Sequence, residues 1–164
     1  MFNYDPPGDL LKDRVILITG AGDGIGKACA LSCAAHGATV VLVGRTLAKL
    51  EAVYDEIEAA GHPQPAICPL NLETASEKDY DDLAGQLFDT FGRLDGLVNN
   101  AALLGPRTHL DSVKTEAWMQ LMQVNVNAPL HAYPRDDAVA ACSPRGLRNF
   151  PVVQRRPQGS RLLI

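Results

Sequence analysis

Between Val15 and Asn127 short apolar runs alternate strictly with amphipathic stretches of helical spacing, and that alternation leaves few folds open. Val15-Ile-Leu-Ile-Thr19 is continuously apolar and runs into glycine, the pattern of a strand buried on both faces. Residues 24–36 carry small and apolar side chains at helical spacing and stop at Gly37. Thr39-Val-Val-Leu-Val43 reads as a second strand, and residues 48–60 as a helix with Leu50, Val53, Tyr54 and Ile57 on one face, ended by Gly61. A short strand is expected over 66–70, then a helix over 77–91 with Leu83, Leu87 and Phe91 in line. Leu97-Val98 marks a fourth strand and residues 116–127 a fourth helix. Strands alternating with helices of roughly 12 residues predict βαβ units around a parallel sheet, the α/β, Rossmann-type doubly wound class.

Composition excludes several alternatives. A chain of 164 residues is expected to form about one domain. Its net charge of −4 argues against a dedicated polyanion binder, so no nucleic-acid partner is expected. No basic-then-apolar leader and no run of ~18 apolar residues occurs, which predicts a cytoplasmic protein without a membrane partner. Cys29, Cys33, Cys68 and Cys142 lack zinc-ligand spacing and the pairing context of a secreted scaffold, so no metal is expected. Cys29 and Cys33, four apart, read as small buried hydrophobes.

The first strand–helix turn carries the strongest chemistry. Thr19-Gly20-Ala21-Gly22-Asp23-Gly24-Ile25-Gly26 follows a strand and opens a helix, the context that gives a glycine motif meaning. Such glycines permit a tight turn, let backbone N–H groups approach a pyrophosphate, and place it at a helix N-terminus. The plainer reading is that they serve helix–strand packing alone.

On these residues the chain resembles the short-chain dehydrogenase/reductase family. Thr19, Gly20, Gly24, Ile25 and Gly26 match that family's Thr-Gly-x-x-x-Gly-x-Gly. Asn99-Asn100-Ala101-Ala102 matches its Asn-Asn-Ala-Gly, with alanine in place of the last glycine. Asn125 falls on the family's helix-four asparagine, which helps to hold a catalytic lysine through water. The resemblance covers about Asp13 to Leu130 and implies NAD(P)(H)-dependent chemistry on a small carbonyl or alcohol substrate. It implies a cofactor site of Thr19, Gly20, Asp23, Gly24, Ile25, Gly26, Arg45, Asn71, Leu72, Asn99 and Ala101. Where NAD-specific relatives carry an acidic residue, this chain has Gly44 followed by Arg45, a fork suited to a 2′-phosphate. That favours NADP(H) over NAD(H), against the alternative of a solvated surface arginine and the adverse sign of Asp23. Asn71 occupies the place where relatives use Asp to accept from the adenine amino group; a structural turn is the equal alternative.

The pattern breaks near His131. Residues 131–164 hold six arginines, no lysine and four prolines against only two acidic residues, Asp136 and Asp137. The chain is therefore divided into a leader (1–12), a nucleotide-binding part (13–130) and an irregular tail (131–164). The family's Tyr-x-x-x-Lys is absent: Lys114 is the last lysine, and Tyr133 is the only tyrosine after Asn125. Of the catalytic set only Asn125 is retained. One extra base at the His131 codon would account for the break, since the shifted frame can encode an apolar helix continuation and then a serine-bearing strand. We therefore read the tail as out of frame and the sheet as truncated after about the fourth strand and fourth helix. Strand four is then expected at an exposed edge, in an aggregation-prone fragment without the family's usual homo-oligomer. Two functions follow: an NADP(H)-dependent dehydrogenase by descent whose present 164 residues are inactive, or a non-catalytic NADP-binding or interaction module.

Overall fold

The computed structural model of the chain describes residues 6–132 together with 162–163. Its centre is a parallel sheet of β1 (Val15–Thr19), β2 (Thr39–Gly44), β3 (Ala66–Pro69) and β4 (Gly96–Val98), joined by a two-residue β5 (Leu162–Leu163). The strands lie in the order β4-β1-β2-β3-β5, with Val15 opposite Thr39, Ile16 opposite Gly96 and Val41 opposite Ala66. This is the α/β Rossmann-like arrangement that the alternation implies. Helices α1 (Gly24–Ala35), α2 (Leu47–Ala59) and α3 (Glu77–Phe91) connect the strands. After β4 come a single 3₁₀ turn (Leu110–Ser112), α4 (Thr115–Met122), a π-wound turn (Gln123–Asn127) and α5 (Ala128–Ala132).

Side chains alternate across the strands, so one sequence builds two cores. Ile16, Ile18, Val40, Leu42 and Ile67 pack with Ala30, Ala34, Leu50, Val53 and Ile57 of α1 and α2. Val15, Leu17, Val41, Val43 and Cys68 face the other way, onto Leu83 and Leu87 of α3. Continuous apolar runs in β1 and β2 follow from this: both faces are covered, and polar residues, Thr19 and Thr39, stand only at the strand ends.

Local chemistry sets the element ends. Ser76 and Asp79 form a reciprocal capping box at the start of α3, and Gly92 closes that helix with φ of 66°. Asp95 then ties the start of β4 to β1. Its carboxylate accepts from the Val15 N–H at 2.9 Å, from Arg14 Nη1 at 2.9 Å and from Arg93 Nε at 2.7 Å, with a further bond from Arg93 Nη2. Burial pushes this carboxyl up, but the bonds from Arg93, the Val15 N–H and Arg14 outweigh it and hold Asp95 below the ordinary range.

Two expectations need amendment. The fourth helix was expected to be a regular helix over 116–127, but its second part is π-wound, with Asn125 in the middle. A period of 3.6 read over a dozen residues does not reveal one inserted residue. The tail was expected to be irregular, yet Leu162–Leu163 forms a parallel ladder on β3, with Leu162 opposite Ala66. The open edge of β3 supplies N–H and C=O groups to any extended segment, with no side-chain pattern required. The remaining tail, with Cys142, lies outside the described residues. The break itself is less abrupt than composition suggests: the His131 ring stacks on Tyr80 with centroids 5.5 Å apart. β4 is an outer strand of the described sheet, as expected. Among the described residues no helix is long and apolar enough to cross a membrane.

Candidate functional site

The loops that leave the carboxyl ends of β1 to β4 enclose a cleft of about 360 Å³. In open parallel sheets this is where ligands bind, and here it lies beside the N-terminus of α1. The glycine turn between β1 and α1 forms one wall. Gly20 takes the left-handed conformation (φ +67°), and a Cβ there would sit 2.9 Å from Asn100 Nδ2. Gly26 is tighter still: a Cβ would lie 2.2 Å from the Gly20 carbonyl oxygen. The first turn of α1 is thereby pressed onto the strand end, which brings main chain rather than side chain up to the cleft.

Asp23 caps α1, accepting from the Gly24 N–H at 2.8 Å, and its second oxygen pairs with Lys49 Nζ at 2.7 Å. The Lys49 ammonium and the Gly24 N–H together hold its carboxyl below the ordinary carboxylate range. Asp23 is exposed and lines the cleft, whereas Gly24 and Ile25 are exposed outside it.

Thr19 and Asn100 lock the strand ends together. Thr19 is 3% exposed, and its hydroxyl accepts from the N–H groups of Asn100 and Ala101 at 3.1 Å each and donates to the Val98 carbonyl at 3.4 Å. Asn100 Nδ2 donates to the Thr19 carbonyl at 3.0 Å and more weakly to Gly20 at 3.4 Å. The inward asparagine is therefore Asn100, while Asn99 is exposed and lies outside the cleft lining.

On the opposite wall, Arg45 Nη1 donates to Glu73 Oε1 at 2.9 Å. Asn71 forms an Asx turn: its Oδ1 accepts from the Glu73 N–H at 3.1 Å, and its carbonyl accepts from the N–H groups of Thr74 and Ala75. The turn role weighed for Asn71 is thus observed, and Oδ1 keeps a second lone pair. Leu72 is buried at the floor.

Asn125 approaches from the π-wound turn that follows α4. Its Nδ2 donates to the Leu103 carbonyl at 2.9 Å and its Oδ1 accepts from the Leu103 N–H at 2.8 Å. Both side-chain atoms are spent on one residue of the loop after β4, and Leu103 lines the cleft.

Of the residues singled out from sequence, Gly20, Asp23, Arg45, Asn71, Leu72 and Ala101 border one cleft. Thr19, Gly26 and Asn125 support its walls from behind. Asn100, Glu73 and Leu103 were missed as part of the site. Asn100 had a signal: two residues after Val98, it shares the face turned toward α1. Glu73 had none, because its partner is 28 residues away. Among the described residues no three His, Cys, Asp or Glu could hold a metal ion. Cys29, Cys33 and Cys68 are free thiols, and burial pushes Cys68 to about 11. Cys29 and Cys33 are only half-buried, more open than expected.

Comparison with known proteins matches residues 14–134 to the short chain dehydrogenase family. The uncharacterized oxidoreductase YciK of Escherichia coli K12 is 42% identical over 126 residues, which is 77% of this chain and 50% of YciK. A Pseudomonas syringae protein described as a short chain dehydrogenase is 54% identical and superposes with a TM-score of 0.77, over 80% of this chain and 53% of that one. Another, from Escherichia coli CFT073 and complexed with NADPH, is 42% identical with a TM-score of 0.75, over 77% of this chain and 53% of its own. The chain thus spans about half the length of the relatives that it matches.

Proposed function

Because the chain belongs to the short chain dehydrogenase family, we propose that residues 13–130 form the NADP(H)-binding part of a carbonyl- or alcohol-converting oxidoreductase. The carrying observation is the glycine turn at the N-terminus of α1, closed so tightly that a Cβ on Gly26 would overlap Gly20, above a cleft that Arg45 and Asn71 also border. That cradle fits a dinucleotide. The turn and the first N–H groups of α1 would take the pyrophosphate, Asn71 and Leu72 the adenine side, and Ala101 the far wall. A bound nicotinamide supplies or accepts a hydride.

The preference for NADP(H) rests on Arg45 at the end of β2, where a guanidinium suits a phosphate monoester, and is supported by the NADPH complex of the similar Escherichia coli protein. Asn125 acts in this reading as a positioning residue that fixes Leu103 at the cleft wall. These 164 residues by themselves would not turn over. No Tyr-x-x-x-Lys follows Asn125, and hydride addition to a carbonyl without a proton donor leaves a costly alkoxide at neutral pH. Reading 131–164 as out of frame explains that gap and agrees with a family match that stops at residue 134. Resequencing the His131 codon tests it, and an unaltered frame there refutes it. A cytoplasmic location belongs to the same proposal.

Calorimetric titration of the full chain tests the cofactor reading. Saturable binding of NADP+ is expected, weakened about tenfold or more by Arg45→Ala, with NAD+ binding unaffected by that change. Absence of heat with either dinucleotide would overturn it. Turnover of any member of a carbonyl panel would overturn the inactivity of these residues but leave the cofactor reading standing.

A further inference from the structure

We propose that Glu73 restrains the NADP(H) preference that Arg45 confers, making the two residues a selectivity pair at the mouth of the cleft; the proposal rests on the cofactor reading above. Arg45 follows β2 and Glu73 follows β3, and both line the cleft, 2.9 Å apart. The carboxylate is the fixed partner. Its side chain is 28% exposed against 66% for Arg45, and its backbone is held by the Asx turn of Asn71. The guanidinium is therefore drawn to a place chosen by Glu73.

That placement has opposite consequences for two ligand chemistries. Arg45 commits Nη1 to Glu73 and keeps other N–H donors for an anion. A phosphate dianion that reaches those donors enters the field of a carboxylate already at the guanidinium, and repulsion opposes it. A ribose hydroxyl meets no such repulsion, and a carboxylate can accept its hydrogen bond. Lys49 does not tip the balance, because its ammonium is engaged by Asp23 at 2.7 Å. The charges of Arg45, Lys49, Asp23 and Glu73 cancel, so a dianion arrives at a mouth with little net attraction. Arg45 favours the 2′-phosphate, and Glu73 limits by how much.

The test uses the full chain with two probes that differ only in the relevant group: adenosine 2′,5′-bisphosphate and adenosine 5′-monophosphate. For Glu73→Gln, which keeps size and hydrogen-bonding capacity, the ratio of their affinities should shift about fivefold toward the bisphosphate at low salt, the scale of a partly exposed ion pair. The monophosphate, whose ribose hydroxyl loses a charged acceptor, should bind no more tightly, so the shift is read in the ratio of the two probes, and it should shrink at roughly 0.3 M salt as screening sets in. A Glu73→Ala protein should move the ratio in the same direction. An unchanged or reversed ratio in both variants would overturn the proposal. If the unaltered chain binds neither probe, the cofactor reading fails first; if it binds both and only the ratio stays fixed, Glu73 alone loses its role.

Discussion

The two sides of this sheet are finished to different degrees. In β1 and β2 the central residues are sealed: Ile18, Val41 and Leu42 are 0% exposed, with α1 and α2 over one face and α3 over the other. All three residues of β4 are only half-buried. Beyond it, α4 and its continuation leave Trp118, Met119, Val126 and Leu130 between 49% and 63% exposed. Much of the cleft stands on the sealed side, where the glycine turn, Arg45 and the Asx turn of Asn71 all spring from fully covered strands, while Asn100 to Leu103 close it from the β4 side. The nucleotide-facing turn thus rests on the sealed part of the molecule, and the looser part supplies the wall that Asn125 anchors at Leu103.

The largest expected effect tests this contrast directly. Leu42→Ala opens a hole in a region that has no room to relax, and should cost about 2–5 kcal/mol of unfolding free energy in urea. Leu97→Ala on half-buried β4 should cost about 1 kcal/mol, since less apolar surface is lost and water can fill the gap. Equal losses at the two sites would abolish the distinction.

A second pair contrasts two glycines. Gly26→Ala drives a methyl group to 2.2 Å from the Gly20 carbonyl oxygen, so the turn must move. We expect a loss of about 1–3 kcal/mol of stability together with nucleotide binding. Gly85→Ala, on the exposed face of α3 with nothing within 4 Å of the new Cβ, should instead stabilise by about 0.5–1 kcal/mol. Chemical denaturation read beside nucleotide titration separates them, and retained binding in Gly26→Ala would break the argument that this contact shapes the site.

What the sequence revealed follows the same division. The sealed half was legible because double-sided burial writes itself as unbroken apolar runs, and because glycine is the residue that tolerates the Gly20 conformation and the Gly26 approach. Boundaries fell within a residue or so of expectation for α1 and α2, where Gly37 and Gly61 mark the exits. The open half was harder to read. Gln123–Asn127 looks like ordinary helix until its extra-wide winding is seen, and which asparagine of Asn99-Asn100 turns inward depends on the register of β4. Glu73 could not be found at all, since an ion pair between loops 28 residues apart leaves no periodicity.

Asp95 joins the two halves, and its titration offers a third measurement. Its carboxyl lies below the ordinary value in the folded chain, so its stabilising contribution is present in full above about pH 4 and is lost as the pH falls through the lower folded value. Asp95→Asn should cost about 1–2 kcal/mol near neutrality, because two arginines and a backbone N–H lose their ionic acceptor. The gap between the two proteins should narrow on acidification below pH 4. A gap that is constant from neutrality to pH 2 would show that the carboxylate charge contributes nothing to the clasp.

The smallest expected change in stability comes from the exposed stripe on the open side. Met119→Lys combined with Leu130→Lys replaces two side chains that are 63% and 62% exposed. Little burial is forfeited, so the melting free energy should stay within about 0.5 kcal/mol. Association should respond far more. An apolar patch beside a sheet edge draws copies together, and two added charges oppose that contact without touching the sealed core or the cleft. Light scattering over a dilution series should therefore fall to the monomer value for the double variant while nucleotide binding is unchanged. If scattering is the same for both proteins, self-association does not run through this stripe, and the looser half is open without being adhesive.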